Sequence, residues 1–247
     1  MDYFLENSKL DAAKIEALKN NSKTTIGLLQ EHTLHRILKF YICNDVNKQE
    51  VSVGKMYADV LIDSTIYEVQ TKSFNLMRDK LKLFLKNYEV TIVYPVASNK
   101  TIYLTDDNGE LISKKKSPKH ANELEIMKEL YRIKNYLLSP NLHFKIILLD
   151  IDEYRKQVKK TYYRSKGYER TDQIPNHIIN IYDIKETKDF KEILKNYNLP
   201  KVFSSKDFSK HTHLSYSKAS TALNVLNYLN VVTRIGKEKN SYLYEIV

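Results

Sequence analysis

Residues 59–72, DVLIDSTIYEVQTK, constrain the fold more than any other stretch. Val60, Leu61 and Ile62 run into Asp63-Ser64, and a second β-rich run begins at Thr65. Two such runs around a two-residue polar break read as a hairpin. With Asp63-Ser64 as the loop, Ile62 faces Thr65, and counting back sets Asp59 opposite Glu68. Opposed residues share a face, with Cβ atoms roughly 4.5–5.5 Å apart. Two carboxylates that close repel unless positive charge lies between them. Strand alternation carries the same face on to Gln70 and Lys72. Two acids, an amide and an ammonium on one patch are the groups of a divalent-metal phosphodiesterase site.

Apolar spacing orders the rest of the chain. A short amphipathic helix is expected over residues 11–19, with Ala12, Ile15 and Leu18 on its stripe. A second helix, over 25–42, carries Glu31, His32 and His35 beside its apolar face. A strand at 51–53 and a turn at Gly54-Lys55 lead into the hairpin. The hairpin's back face, Ala58, Val60, Ile62, Tyr67 and Val69, is expected to pack on a helix. A helix over 74–88 follows, inward at Leu76, Met77, Leu81, Phe84 and Leu85, with Arg78, Lys80, Lys82 and Lys86 outside. The run at 90–96 reads as a buried strand that Pro95 ends. A second hairpin turns at 106–109, and Lys114-Lys115-Lys116 follows as a solvated turn, with phosphate contact as the alternative. Residues 123–138 read as a helix, 144–151 as a strand, and the polar run 153–188 as a connection. In the last third, helices at 189–197, 207–211 and 216–229 precede strands at 231–235 and 241–246. Three helices followed by a basic-tipped hairpin is the pattern of a winged helix-turn-helix.

Composition narrows the partners. Forty basic residues stand against 30 acidic, a formal net charge of +10. That balance favours an anionic partner, although a lysine-rich surface needs none. Cys43 is the single cysteine, so no internal disulfide can form, and a reducing, cytoplasmic setting is expected. The first residues lack the basic and apolar regions of a signal peptide, and no stretch reaches membrane-span length, so no membrane partner is expected.

From 26 to 96 the order is helix, three strands, helix, strand, with Asp59 on one central strand and Glu68-Val69-Gln70 on the next. This resembles the PD-(D/E)XK, or restriction-endonuclease-like, nuclease superfamily. The resemblance implies an α/β fold, a mixed β-sheet flanked by helices, and DNA phosphodiester hydrolysis with Mg²⁺ or Mn²⁺. It gives Asp59, Glu68 and the Val69 carbonyl as metal ligands and Glu31 as an additional helical acid. Gln70 stands where the family has lysine. It would orient the attacking water without supplying charge, and Lys72 is a candidate for that charge. The chain is also similar to a poorly characterised bacterial group with a YEVQTKSF-like strand, a later KKKSPK stretch and a C-terminal winged helix.

In the expected winged helix, Tyr216, Ser217, Lys218, Ser220, Thr221 and Asn224 cluster at the start of the recognition helix. Arg234, Lys237 and Lys239 charge the wing. Such groups reach phosphates or base edges in a groove. The expected organisation is an N-terminal helical arm (1–24), a nuclease-like domain (25–160), a connecting segment (161–182) and a winged-helix domain (183–247). Duplex or branched DNA is the expected partner, and a homodimer is compatible. Two other readings remain open: a non-catalytic DNA-binding regulator on a nuclease-like scaffold, and a protein-interaction or dimerisation module.

Overall fold

A computed structural model describes residues 2–19, 33–158 and 167–247. Its elements are α1 (Tyr3–Lys19), α2 (Thr33–Ile42), β1 (Gln49–Val53), β2 (Met56–Ile62), β3 (Thr65–Val69), α3 (Arg78–Phe84), β4 (Glu89–Thr105), β5 (Leu111–Lys116), α4 (Met127–Arg132), β6 (Leu142–Gln157), β7 (Tyr168–Ile184), α5 (Thr187–Lys195), β8 (Phe203–Ser204), α6 (Ser205–Thr212), α7 (Tyr216–Tyr228), β9 (Val232–Glu238) and β10 (Ser241–Ile246). The architecture is mixed α/β. Among the described residues, a seven-stranded sheet has the order β1-β2-β3-β4-β6-β7 with β5 paired to β4, and a three-stranded sheet has the order β8-β10-β9. The larger sheet is mixed: β2 and β3 are antiparallel, β3 and β4 parallel. No helix among the described residues is long and apolar enough to cross a membrane.

The chain divides into two compact units, one of residues 1–51, 95–122 and 147–181, the other of residues 52–94, 123–146 and 182–247. In the first, α1 starts eight residues before the helix expected from the sequence. It buries Leu10, Ala13 and Ala17, while Ile15 and Leu18 are exposed. The two alanines let α1 lie close to α2, whose Leu34, Ile37, Leu38 and Tyr41 are buried as expected. Asn7 fastens α1 to β7 by accepting from the Ile178 N–H at 2.7 Å and donating to its carbonyl at 3.1 Å. That amide takes the place of a neighbouring strand on β7, the last in the sheet order.

β7 itself corrects the sequence reading, which made residues 161–182 a connection. An end strand buries few side chains, so charges are tolerated and no period of two appears. Pro95 does not end β4, which runs ten residues further. The last β3–β4 rung is Val69↔Val93, so the missing proline N–H falls beyond that ladder. Lys114, Lys115 and Lys116 lie on β5 rather than in a turn.

In the second unit the β2–β3 hairpin has the expected register, Ile62↔Thr65, Leu61↔Ile66 and Val60↔Tyr67. Asp63 takes a left-handed φ of 53° in its loop, which aspartate tolerates better than most residues. The helix expected over 74–88 is a single turn plus the seven residues of α3. Phe74, Met77, Leu81 and Phe84 are buried, but Leu76 points to solvent. In the C-terminal part, Ser204 caps α6 by accepting from the Asp207 N–H, and Asp207 accepts in return from the Ser204 N–H. α7 buries Ala219, Ala222, Leu223 and Leu226 as expected.

Candidate active site

The site grows from the place where β2 and β3 separate. Backbone pairing runs back as far as Val60↔Tyr67, so Asp59 and Glu68 are next. There the side chains replace the ladder. Glu68 Oε1 accepts from the Asp59 N–H at 3.2 Å, and Asp59 Oδ2 accepts from the Val69 N–H at 2.8 Å. β3 meanwhile stays paired with β4, and the Gln70 N–H donates to the Val93 carbonyl at 2.9 Å. The two acids are therefore interlocked through each other's strands. Asp59 is 8% exposed and Glu68 1%.

This burial has an electrostatic consequence. Desolvation, followed by the nearby Asp59 charge, pushes the Glu68 carboxyl up to about 7 against the pull of Lys80. Lys80 Nζ, from the first turn of α3, lies 2.8 Å from Glu68 Oε2. The sequence reading set Lys80 on the outside of the helix. It sits three residues after Met77 and four before Phe84, both buried, and that spacing places it at the edge of the apolar stripe.

The other expected site residues divide. Gln70 is half-buried, and among the described residues its side chain makes no hydrogen bond. Lys72 is exposed beyond the end of β3 at Val69, so strand alternation no longer carries it onto the face of Glu68. Glu31 and His32 lie outside the described residues. No group of three or more His, Cys, Asp and Glu among the described residues is arranged to hold a metal ion. Asp59, Glu68 and the Val69 carbonyl are nevertheless oxygen donors, the type a hard divalent cation prefers. A buried carboxyl raised by its acidic neighbour is a group that added positive charge would return to the ionised form.

α4 braces the chain just after the site. Glu129, buried, accepts from the Phe74 N–H at 3.0 Å. Arg132 Nη1 donates to Asn75 Oδ1 at 2.9 Å, and the Arg132 carbonyl accepts from Arg78 Nε at 2.9 Å. Around the same helix, Lys218 of α7 pairs with Glu125 at 2.6 Å, and Lys134 donates to Asn224 at 2.9 Å while lying 4.6 Å from the Tyr228 ring centroid. Two of the six groups expected to face nucleic acid on α7, Lys218 and Asn224, are thus engaged with residues that flank α4. Tyr216, Ser217 and Ser220 are exposed, and Thr221 Oγ1 donates back to the Ser217 carbonyl at 3.0 Å. On the β9–β10 hairpin, Arg234 stacks 4.3 Å from the Tyr242 ring centroid, with Lys237 5.7 Å from the same ring. Lys239 is exposed at the hairpin tip.

Comparison with known proteins adds a family but no activity. The matching family model is described as Domain of unknown function (DUF8091) and covers residues 32–185, which include both acids and Lys80. A protein of Treponema pallidum (strain Nichols), described as an uncharacterized protein, is 33% identical over 144 residues, 55% of this chain and 57% of that protein. The chain thus spans little more than half the length of that relative. No solved structure matches.

Proposed function

Given that this chain belongs to the family described as Domain of unknown function (DUF8091), we propose that it is a metal-dependent DNA nuclease of restriction-endonuclease-like fold with a C-terminal winged helix. The observation that carries this reading is the interlocked pair Asp59–Glu68, buried at the point where β2 leaves β3. Asp59, Glu68 and the Val69 carbonyl would hold Mg²⁺ or Mn²⁺. Bound there, the ion would lower the pKa of water and stabilise charge building on the phosphate. Gln70, with an uncommitted amide, orients the attacking water. Lys80 supplies the charge that glutamine lacks: it already reaches Glu68, and 29% exposure of its side chain leaves it access to a phosphate oxygen. For the winged helix, support comes from the element order α5-β8-α6-α7-β9-β10 and the strand order β8-β10-β9.

The test is cleavage of duplex, single-stranded and branched DNA with Mg²⁺ or Mn²⁺. Activity should disappear in Asp59→Ala and Glu68→Ala. A second reading has its own observation. Lys80 compensates Glu68 from within the chain, which suits a carboxylate pair kept as scaffold in a DNA-binding regulator. DNA binding by the wild type without cleavage of any of these substrates would favour that reading.

A further inference from the structure

Two sets of described cations in the first unit differ in their partners. Lys14, Lys39, Lys100 and Arg155 each reach a carboxylate, on Asp11, Glu50 and Glu153. Lys114, Lys115, Lys116 and Lys119 are exposed and, among the described residues, in no ion pair. Their placement follows from register. Lys116 stands opposite Thr101 and Lys114 opposite Tyr103, so these four share a face. Lys115 stands opposite Ile102, which is buried on the other face. Lys114 and Lys116 therefore project together, about 7 Å apart along the strand.

The same outward face carries an aromatic pair. Tyr103 and Tyr154 stack with centroids 5.0 Å apart and planes at 15°, and Lys114 Nζ lies 5.0 Å from the Tyr103 ring centroid. Beside Lys116 a cleft of about 380 Å³ is lined by Asn99, Thr101, Ser117, His120 and Asn176. Asn99 Nδ2 donates to Asp150 Oδ1 at 2.8 Å, which turns Asn99 Oδ1 to His120 Nδ1 at 2.7 Å. His120 is thereby held with its proton on Nδ1, fixed in place beside the lysines. Asp150 and Asp152 also line the cleft, from β6, and direct an anion toward the β5 side.

We propose that the outward face of β4 and β5 in the first unit is a nucleic-acid contact surface, with Lys114 and Lys116 each taking a backbone phosphate. Cations interleaved with stacked aromatics on a polar cleft are the usual make-up of such a surface. The inference needs neither the chemistry of Asp59 and Glu68 nor the C-terminal elements.

The experiment is fluorescence anisotropy of the full chain with labelled duplex and single-stranded DNA across a salt series, without divalent metal. Because metal is left out, the result is separate from cleavage. Each phosphate contact contributes about 0.9 to the slope of log K against log salt for duplex and about 0.7 for a single strand. Lys114→Gln/Lys116→Gln should lower the slope by about 1.8 on duplex, or by about 1.4 if the surface takes a single strand. Lys188→Gln/Lys195→Gln makes the same charge change on α5, where both lysines are paired with glutamates, and should leave the slope unaltered. An unchanged slope in the first variant would overturn the inference. So would an equal fall in the second, or failure of the wild type to bind either DNA at low salt.

Discussion

At Glu68, burial and the Asp59 charge act in the same direction, and Lys80 opposes them only in part. The folded carboxyl titrates near 7, above its ordinary 4.5. Its contribution therefore favours folding in full below about 4.5 and is lost as pH rises through about 7. Glu68→Gln removes the charge but keeps an acceptor for the Asp59 N–H. It should abolish cleavage and raise stability at pH 8 by roughly 1–3 kcal/mol, with the gain vanishing near pH 4. Thermal melts at the two pH values check this, and a lower melting point at pH 8 would contradict it. Lys80→Met does the reverse, leaving a buried carboxylate without its ammonium. The loss should be on the order of 2 kcal/mol at pH 8, smaller at pH 5 where Glu68 is protonated, as read by urea unfolding.

At the scale of elements, α4 grips the turn after the site, and Glu125 and Lys134, which flank it, hold α7. Glu125 occupies Lys218 as a phosphate would. Glu125→Gln should raise duplex affinity a few-fold and steepen the salt slope by about 0.9, because one lysine becomes available. Adding Lys218→Gln to it should cancel both effects in the same titration. In α6, hydrogen bonds from the Ser204 N–H and hydroxyl hold the Asp207 carboxyl below its ordinary range. A depressed carboxyl stabilises above its unfolded value, and the benefit is lost as pH falls through the folded value. Far-UV melts below pH 4 should therefore show a smaller drop with falling pH in Asp207→Asn than in the wild type. A serine three residues before Asp207 is a signal legible in the sequence, because capping is local. The brace is not legible, since Glu125 and Lys218 meet only through packing.

For the whole molecule, the net charge of +10 and the carboxylate pair make separable claims. Asp59→Ala should end cleavage while DNA binding and its salt slope remain, because the substitution removes no cation and the lysines proposed to take phosphates on β5 are in the other unit. Filter binding and cleavage assays on one preparation check both. Cleavage surviving in Asp59→Ala would remove the acid pair from the chemistry.

The sequence by itself determined what local geometry determines. A two-residue loop between β-branched runs set the β2–β3 register, and with it the opposition of Asp59 and Glu68, because strand pairing counts residues. Side-chain periodicity likewise fixed the buried faces of α2 and α7. Only the tertiary structure decided that the cation on Glu68 comes from α3 rather than from Lys72, and that β7 is a strand. The first depends on where a helix docks, and the second on a charged run pairing with β6 at the end of the sheet. Helical spacing sets Lys80 at the edge of a stripe but not which acid it meets, and the charged run of β7 has no period of two.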